Sequence, residues 1–283
     1  FISGATKVTV SDPISIADFN TINAQTSANI VLTGGISDAA ADLAPFGVES
    51  VGFTAATTQD PDVEVTLTGT ASVTELNAIE SATTGAITAD ITEGDLATLT
   101  TLTDANGNNA LTITVTNPSA DAADLNTVAT ITSVAVDATA VTTIAGSAAT
   151  IITASQNSGI TTAASYAATV TDADGRSIAA TALATLGAST TGTVSVSNAV
   201  EISGSVSEIT AALITDATKV VLAGSANVTA NDVDGASDLS GIDPSGTLTA
   251  QLANGVDISG NVNLANVDNF HIDSGASVSM TTA

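Results

Sequence analysis

Cysteine and tryptophan are absent from the 283 residues, and histidine, tyrosine and methionine occur once each. Without cysteine there is no disulfide framework, no thiol nucleophile and no cysteine-based zinc site. Aromatic residues make up only 2% of the chain, so the interior has to be built from Ala, Val, Ile and Leu. That favours a slim core repeated many times over one deep core around aromatic anchors. Positive charge is just as scarce. Lys7, Arg176 and Lys219 oppose 29 acidic residues, for a formal net charge of −26. Such a surface repels phosphate backbones and anionic lipid, which argues against nucleic acid as a partner. It suits high salt or a bath of divalent cations. No apolar run approaches the length of about 18 residues that a membrane span needs, so no membrane span is expected. The chain opens on Phe1 without a basic leader, as expected of a processed product or an excised segment.

What is present is regular. Hydrophobic residues make up 44% of the chain. With a mean hydropathy of +0.40 and evenly spaced Val, Ile and Leu, this argues against disorder. The clearest unit is Val63–Ile91, which reads as a strand (VEVTLTG), a short helix (ASVTELNAIESA), a Thr83-Thr84-Gly85 corner and a second strand. Variants recur, with apolar helix anchors at Phe19, Leu43, Leu76, Leu96, Leu125, Ile152, Leu183 and Ile209, a mean spacing of about 27 residues. A repeat of one strand plus one short helix, too small to be stable alone, predicts a mainly β solenoid with parallel stacked sheets. Residues 45–62, rich in Gly and Pro, read as an insertion or irregular turn. An Asn follows three of the anchors (Asn20, Asn77, Asn126), where it would either form a ladder between repeats or face solvent. Residues 1–217 are expected to hold the strand and short-helix repeats. Residues 218–283, with short alternating runs split by Gly, Asn and Asp, are expected to form a tighter all-β continuation or cap.

Three acidic turns are candidate calcium sites: Asp104, Asn106 and Asn108; Asp172 and Asp174; and Asp232 and Asp234 with Asp238. D-x-[DN]-G spacing puts two side-chain oxygens on one side of a tight turn, the opening half of many calcium loops. No Glu at the twelfth loop position with flanking helices completes an EF-hand, and Asp or Asn beside Gly also makes ordinary turns. No other cofactor is indicated. Catalytic material is thin. His271, the single histidine, lies in the alternating run Asn269-Phe270-His271-Ile272-Asp273 and reads as a strand residue, and no phosphate loop carries its lysine. The chain is therefore not expected to be an enzyme. Asn227-Val228-Thr229 fits a glycosylation sequon, a short motif that is frequent by chance.

Units such as VEVTLTG…TELNAIESATTG, LTITVTN…AADLNTVATITS and ATALATLGASTTGTVSVSN resemble the repeats of very large surface proteins of cyanobacteria and marine bacteria. Those proteins are described as haemolysin-type or S-layer-like. The likeness covers about residues 5–225, and the calcium-roll nonapeptides of the haemolysin group are missing. It implies secretion, extracellular assembly and calcium. The expected role is a structural, extracellular solenoid rod that assembles head-to-tail through its ends into a cell-surface layer, fibre or filament as a homo-oligomer. The alternatives are an adhesin stalk or viral tail-fibre segment and, less in keeping with the composition, a polysaccharide-active β-helix enzyme.

Overall fold

The computed structural model describes residues 7–104, 107–214, 219–222 and 224–280. The first half of the chain runs β1 (Lys7–Val10), α1 (Ile16–Asn23), β2 (Asn29–Leu32), β3 (Ile36–Asp38), α2 (Ala40–Leu43), α3 (Val51–Gln59), β4 (Val65–Ala71), α4 (Val73–Ala82), β5 (Ile87–Ile91), α5 (Leu96–Leu99), β6 (Ala110–Thr112), β7 (Ser119–Asp121) and α6 (Ala122–Ala129). It continues as β8 (Val136–Ala138), β9 (Thr143–Gly146), α7 (Ala148–Gln156), β10 (Ile160–Thr162), β11 (Ala167–Val170), β12 (Ser177–Ala179), α8 (Ala180–Ser189), β13 (Val194–Val196), β14 (Glu201–Ser205) and α9 (Val206–Leu213). Beyond α9 the described residues carry β15 (Val220–Leu222), β16 (Asn227–Val233), β17 (Leu248–Leu252), a 3-10 turn at Val262–Leu264 and β18 (Asn269–Ile272).

Contacts divide the chain into two units. One comprises residues 1–117, 124–140 and 158–161, and the other comprises 118–123, 141–157 and 162–283. In the first, β1 pairs with β2 and a four-stranded sheet runs β3-β4-β5-β6, all parallel. In the second, one five-stranded sheet runs β7-β9-β11-β13-β15 and another β12-β14-β16-β17-β18, again all parallel. From β11 to β16 the chain visits the two sheets in turn, with α8 and α9 each running from a strand of the second sheet to a strand of the first. Registers show the period directly. Ala168 pairs with Val194 and Val194 with Val220, two steps of 26 residues. Val228 pairs with Leu248 and Ala250 with Phe270, steps of 20, where no helix intervenes.

The helices form for local reasons that recur. Ser15, Ser50, Ser72, Ser147 and Ser205 each sit just before a helix and accept from the backbone N–H three residues on. Ser72 with Glu75 and Ser205 with Glu208 complete reciprocal capping boxes. Of the anchors, Phe19, Leu43, Leu76, Leu125, Leu183 and Ile209 are fully buried and Leu96 nearly so. Leu76 and Ile79 of α4 lie on one face because they are three residues apart.

Three expectations need correction. Helix (28%) and strand (29%) contribute equally, so the fold is not mainly β. Residues 45–62 are not irregular, because they carry α3, a nine-residue helix held by the Ser50 cap and by fully buried Phe53 and Ala56. Its Gly and Thr content is poor for a helix, and burial overrides that propensity. The anchor of α7 is Ile151, fully buried, while Ile152 beside it is half-exposed.

Candidate functional site

Most of the predicted acidic side chains accept from backbone N–H groups, and two of them also from a neighbouring hydroxyl. Asp104 accepts from Gly107 N–H at 2.9 Å, and Asn108 is exposed. Asn106 lies outside the described residues. Asp172 reaches one way to Ala148 N–H (2.7 Å) and Asp174 the other way to Ala199 N–H (2.9 Å). Asp234 accepts from Ala236 N–H and the Ser237 hydroxyl, each at 2.9 Å. Asp238 accepts from Ser240 N–H (3.0 Å) and its hydroxyl (2.6 Å). Asp232 is exposed and sits in the left-handed region at φ 59°. Asp232, Asp234 and Asp238 line one open cleft of about 620 Å³ with Ser205 and Ser207 of the α9 N-terminus. Among the described residues, no group of three or more His, Cys, Asp or Glu is placed to hold a metal ion.

A second polar set was not foreseen from the sequence, and it is the more regular one. The first residue of four helices donates its N–H to an acceptor side chain of the following repeat. Ile16 donates to Asp38 Oδ2 (2.8 Å), Val73 to Glu93 Oε2 (3.0 Å), Leu96 to Asn117 Oδ1 (2.6 Å) and Ala148 to Asp172 Oδ2 (2.7 Å). These N–H groups have no partner inside their own helix, and the Ser or Asp caps serve the third position rather than the first. Each acceptor ends a tripeptide of one pattern: Ile36-Ser37-Asp38, Ile91-Thr92-Glu93, Val115-Thr116-Asn117 and Val170-Thr171-Asp172. That recurrence, Ile or Val, then Ser or Thr, then an acidic or amide residue, is the signal in the sequence that points to it.

Amide side chains do the same between strands and loops. Asn77 donates to Thr101 C=O (2.8 Å) and accepts from Thr103 N–H (2.9 Å), so it bridges repeats, whereas Asn20 is exposed and Asn126 half-buried. Asn109 is the most enclosed. It is 1% exposed, donates to Glu80 Oε2 at 2.8 Å and accepts from Ile87 N–H at 2.8 Å. Asn227 accepts from Thr247 N–H (2.8 Å) and donates to Glu201 (2.7 Å), so its amide is engaged within the sheet and not offered to a glycan. The corner threonines belong to this set. Thr83 Oγ1 donates to Val63 C=O (2.7 Å), Thr132 Oγ1 to Leu111 C=O (2.8 Å) and Thr190 Oγ1 to Tyr166 C=O.

These hydrogen bonds leave an electrostatic mark. The Asn117 amide, with Thr98 N–H and hydroxyl, holds the Asp95 carboxyl below its ordinary value of 3.8. Asp137, Asp234, Asp238 and Asp257 are held below it by the hydroxyls of Thr139, Ser237, Ser240 and Ser259 first, and by nearby N–H groups. A lowered folded value means the contribution to stability is complete above the unfolded value near 3.8 and is lost as pH falls through the folded value. Carboxyl titration by NMR is expected to place all five midpoints below 3.8. Midpoints at or above it would remove the hydroxyl caps.

His271 lies on β18, with Nε2 3.4 Å from Asp273, both largely exposed. No helix among the described residues is long and apolar enough to cross a membrane. No protein-family model, curated protein or solved structure matches the chain.

Proposed function

We propose that the chain is an extracellular structural protein, a solenoid whose repeats stack and whose copies assemble head-to-tail into a layer, fibre or filament. One observation carries this reading. Four acceptor side chains at matching positions complete the helix of the preceding repeat, so the recurring polar chemistry is spent on joining one repeat to the next. Parallel sheets in which every repeat adds a strand are compatible with it, since such sheets extend by repetition. The charge of −26 sets the condition: copies repel at low ionic strength and approach when salt shortens the Debye length. Divalent cations enter as counter-ions of that surface, and the resemblance to S-layer-like repeat proteins points the same way.

Sedimentation and electron microscopy of the purified chain test the reading, at low salt and at about 0.5 M salt, each with calcium or with a chelator. Ordered assemblies that grow with protein concentration and with salt are the expected result. A monomer under all four conditions would overturn it.

A further inference from the structure

Two edge strands of the described structure carry matching, half-covered apolar columns. In the sheet that ends at β18, Ala250 and Leu252 of β17 pair with Phe270 and Ile272. The inner pair is 0% and 2% exposed, and the outer pair is 39% and 40% exposed. Phe270 is also far larger than the Ala230 and Ala250 that precede it in the same column. At β1, Val8 and Val10 pair with Ile30 and Leu32. There the inner pair is 0% and 3% exposed, while Val8 and Val10 are half-exposed. Each edge strand is four residues long and paired in parallel on one side, with apolar residues at its second and fourth positions. The free side of β1 precedes β2 in strand order and the free side of β18 follows β17, so the two edges face opposite ways along their sheets and are complementary rather than identical.

We infer that β18 of one copy pairs in parallel with β1 of a second copy, Val8 covering Phe270 and Val10 covering Ile272, with Thr9 beside His271 on the outer face. This rests on the head-to-tail reading above and names the strands and register that would carry it. Among the described residues β1 and β18 each pair on one side only, and joining them would give the second side of each strand a partner. The pairing is heterologous, so each added copy leaves one edge of each kind for the next. Charge favours this pairing over like-edge pairing. Lys7, one of three cations in the chain, is exposed at the start of β1, and β18 is flanked by Asp268 and Asp273.

The absence of native cysteine makes the register directly testable. Neighbouring strands lie about 4.8 Å apart, within disulfide reach. Chains carrying Thr9→Cys and chains carrying His271→Cys, mixed at high salt under mild oxidation, are expected to give a disulfide dimer. Its yield should exceed that of Thr9→Cys with Val221→Cys, on the edge strand of the other five-stranded sheet, by about tenfold or more. Adding Phe270→Asp to the His271→Cys chain is expected to lower the yield by about tenfold, the loss typical of an anchor residue at the centre of an interface. Both substituted positions are exposed, and circular dichroism identical to the parent checks that Phe270→Asp still folds. Assembly by sedimentation without the Thr9–His271 link, or with a preferred Thr9–Val221 link, overturns this pairing and leaves head-to-tail assembly standing. Monomer at every concentration and salt overturns both.

Discussion

Replacing Asn109 by Leu, a side chain of the same branching, is expected to destabilise the chain by about 3–5 kcal/mol, because Asn109 holds two buried groups at once. Its amide donates to Glu80 Oε2, on a carboxylate only 4% exposed, and its oxygen receives the Ile87 N–H at the start of β5. Leu keeps the branching and abandons both. The cost is that of taking an amide donor from a buried acid and leaving a strand amide dry. Replacing Glu80 by Leu in the same chain should recover part of the loss, since the buried acid that has lost its amide donor is then gone. Urea unfolding followed by far-ultraviolet circular dichroism gives both differences. A single variant within 1 kcal/mol of the parent, the scale of one ordinary hydrogen bond, would show that Asn109 is not the bracket described.

A substitution of one methyl group should come close to that. Gly85→Ala places a Cβ 2.2 Å from the Val63 carbonyl oxygen and 2.4 Å from its carbon. Both are backbone of the preceding repeat, so no flexible side chain can give way. The same carbonyl accepts from Thr83 Oγ1, and Gly85 N–H donates to that hydroxyl at 3.0 Å, so the whole corner has to open. The expected cost is about 3 kcal/mol, at the upper end for overpacking. Gly192→Ala should behave alike, since its Cβ falls 2.2 Å from the Tyr166 carbonyl oxygen. Gly69, in the bulged middle of β4 at φ +80°, is the control. A Cβ there meets nothing within 4 Å. Gly69→Ala should therefore cost only the left-handed penalty, about 1 kcal/mol. Equal midpoints for the Gly85 and Gly69 variants would refute the close-approach account.

The two kinds of glycine show which parts of the fold can be read from sequence. Thr83-Thr84-Gly85 is legible as a corner because turn residues punctuate a periodic pattern. The reason for its glycine is a carbonyl more than twenty residues away, which no local rule reports. Anchors such as Leu76 and Ile79 are legible because a helix face repeats every three or four residues. Ile152 was one place off because Ile151 and Ile152 are chemically alike, and only packing chooses between them. Asn109 is the sharpest case. In the sequence it closes an acidic, Gly-containing turn and looks like a loop residue. In the structure it is buried, since the partners that draw it in, Glu80 and Ile87, belong to the preceding repeat. For the same reason the acidic turns suggested chelation, whereas Asp172 and Asp174 each serve a different backbone amide.

The helix caps borrowed from the next repeat bear on how such a sequence can lengthen or shorten over generations. Glu93 serves Val73, and Asn117 serves Leu96, so the repeat that holds β5 and α5 gives a cap backwards and receives one from ahead. A duplication of that whole period hands both obligations to an equivalent neighbour and leaves its helices served. A cut at any other phase strands one helix start and orphans one acceptor. The genetic unit of change in this chain is therefore set by hydrogen bonding across the repeat boundary, and variants that differ in length should differ by whole repeats.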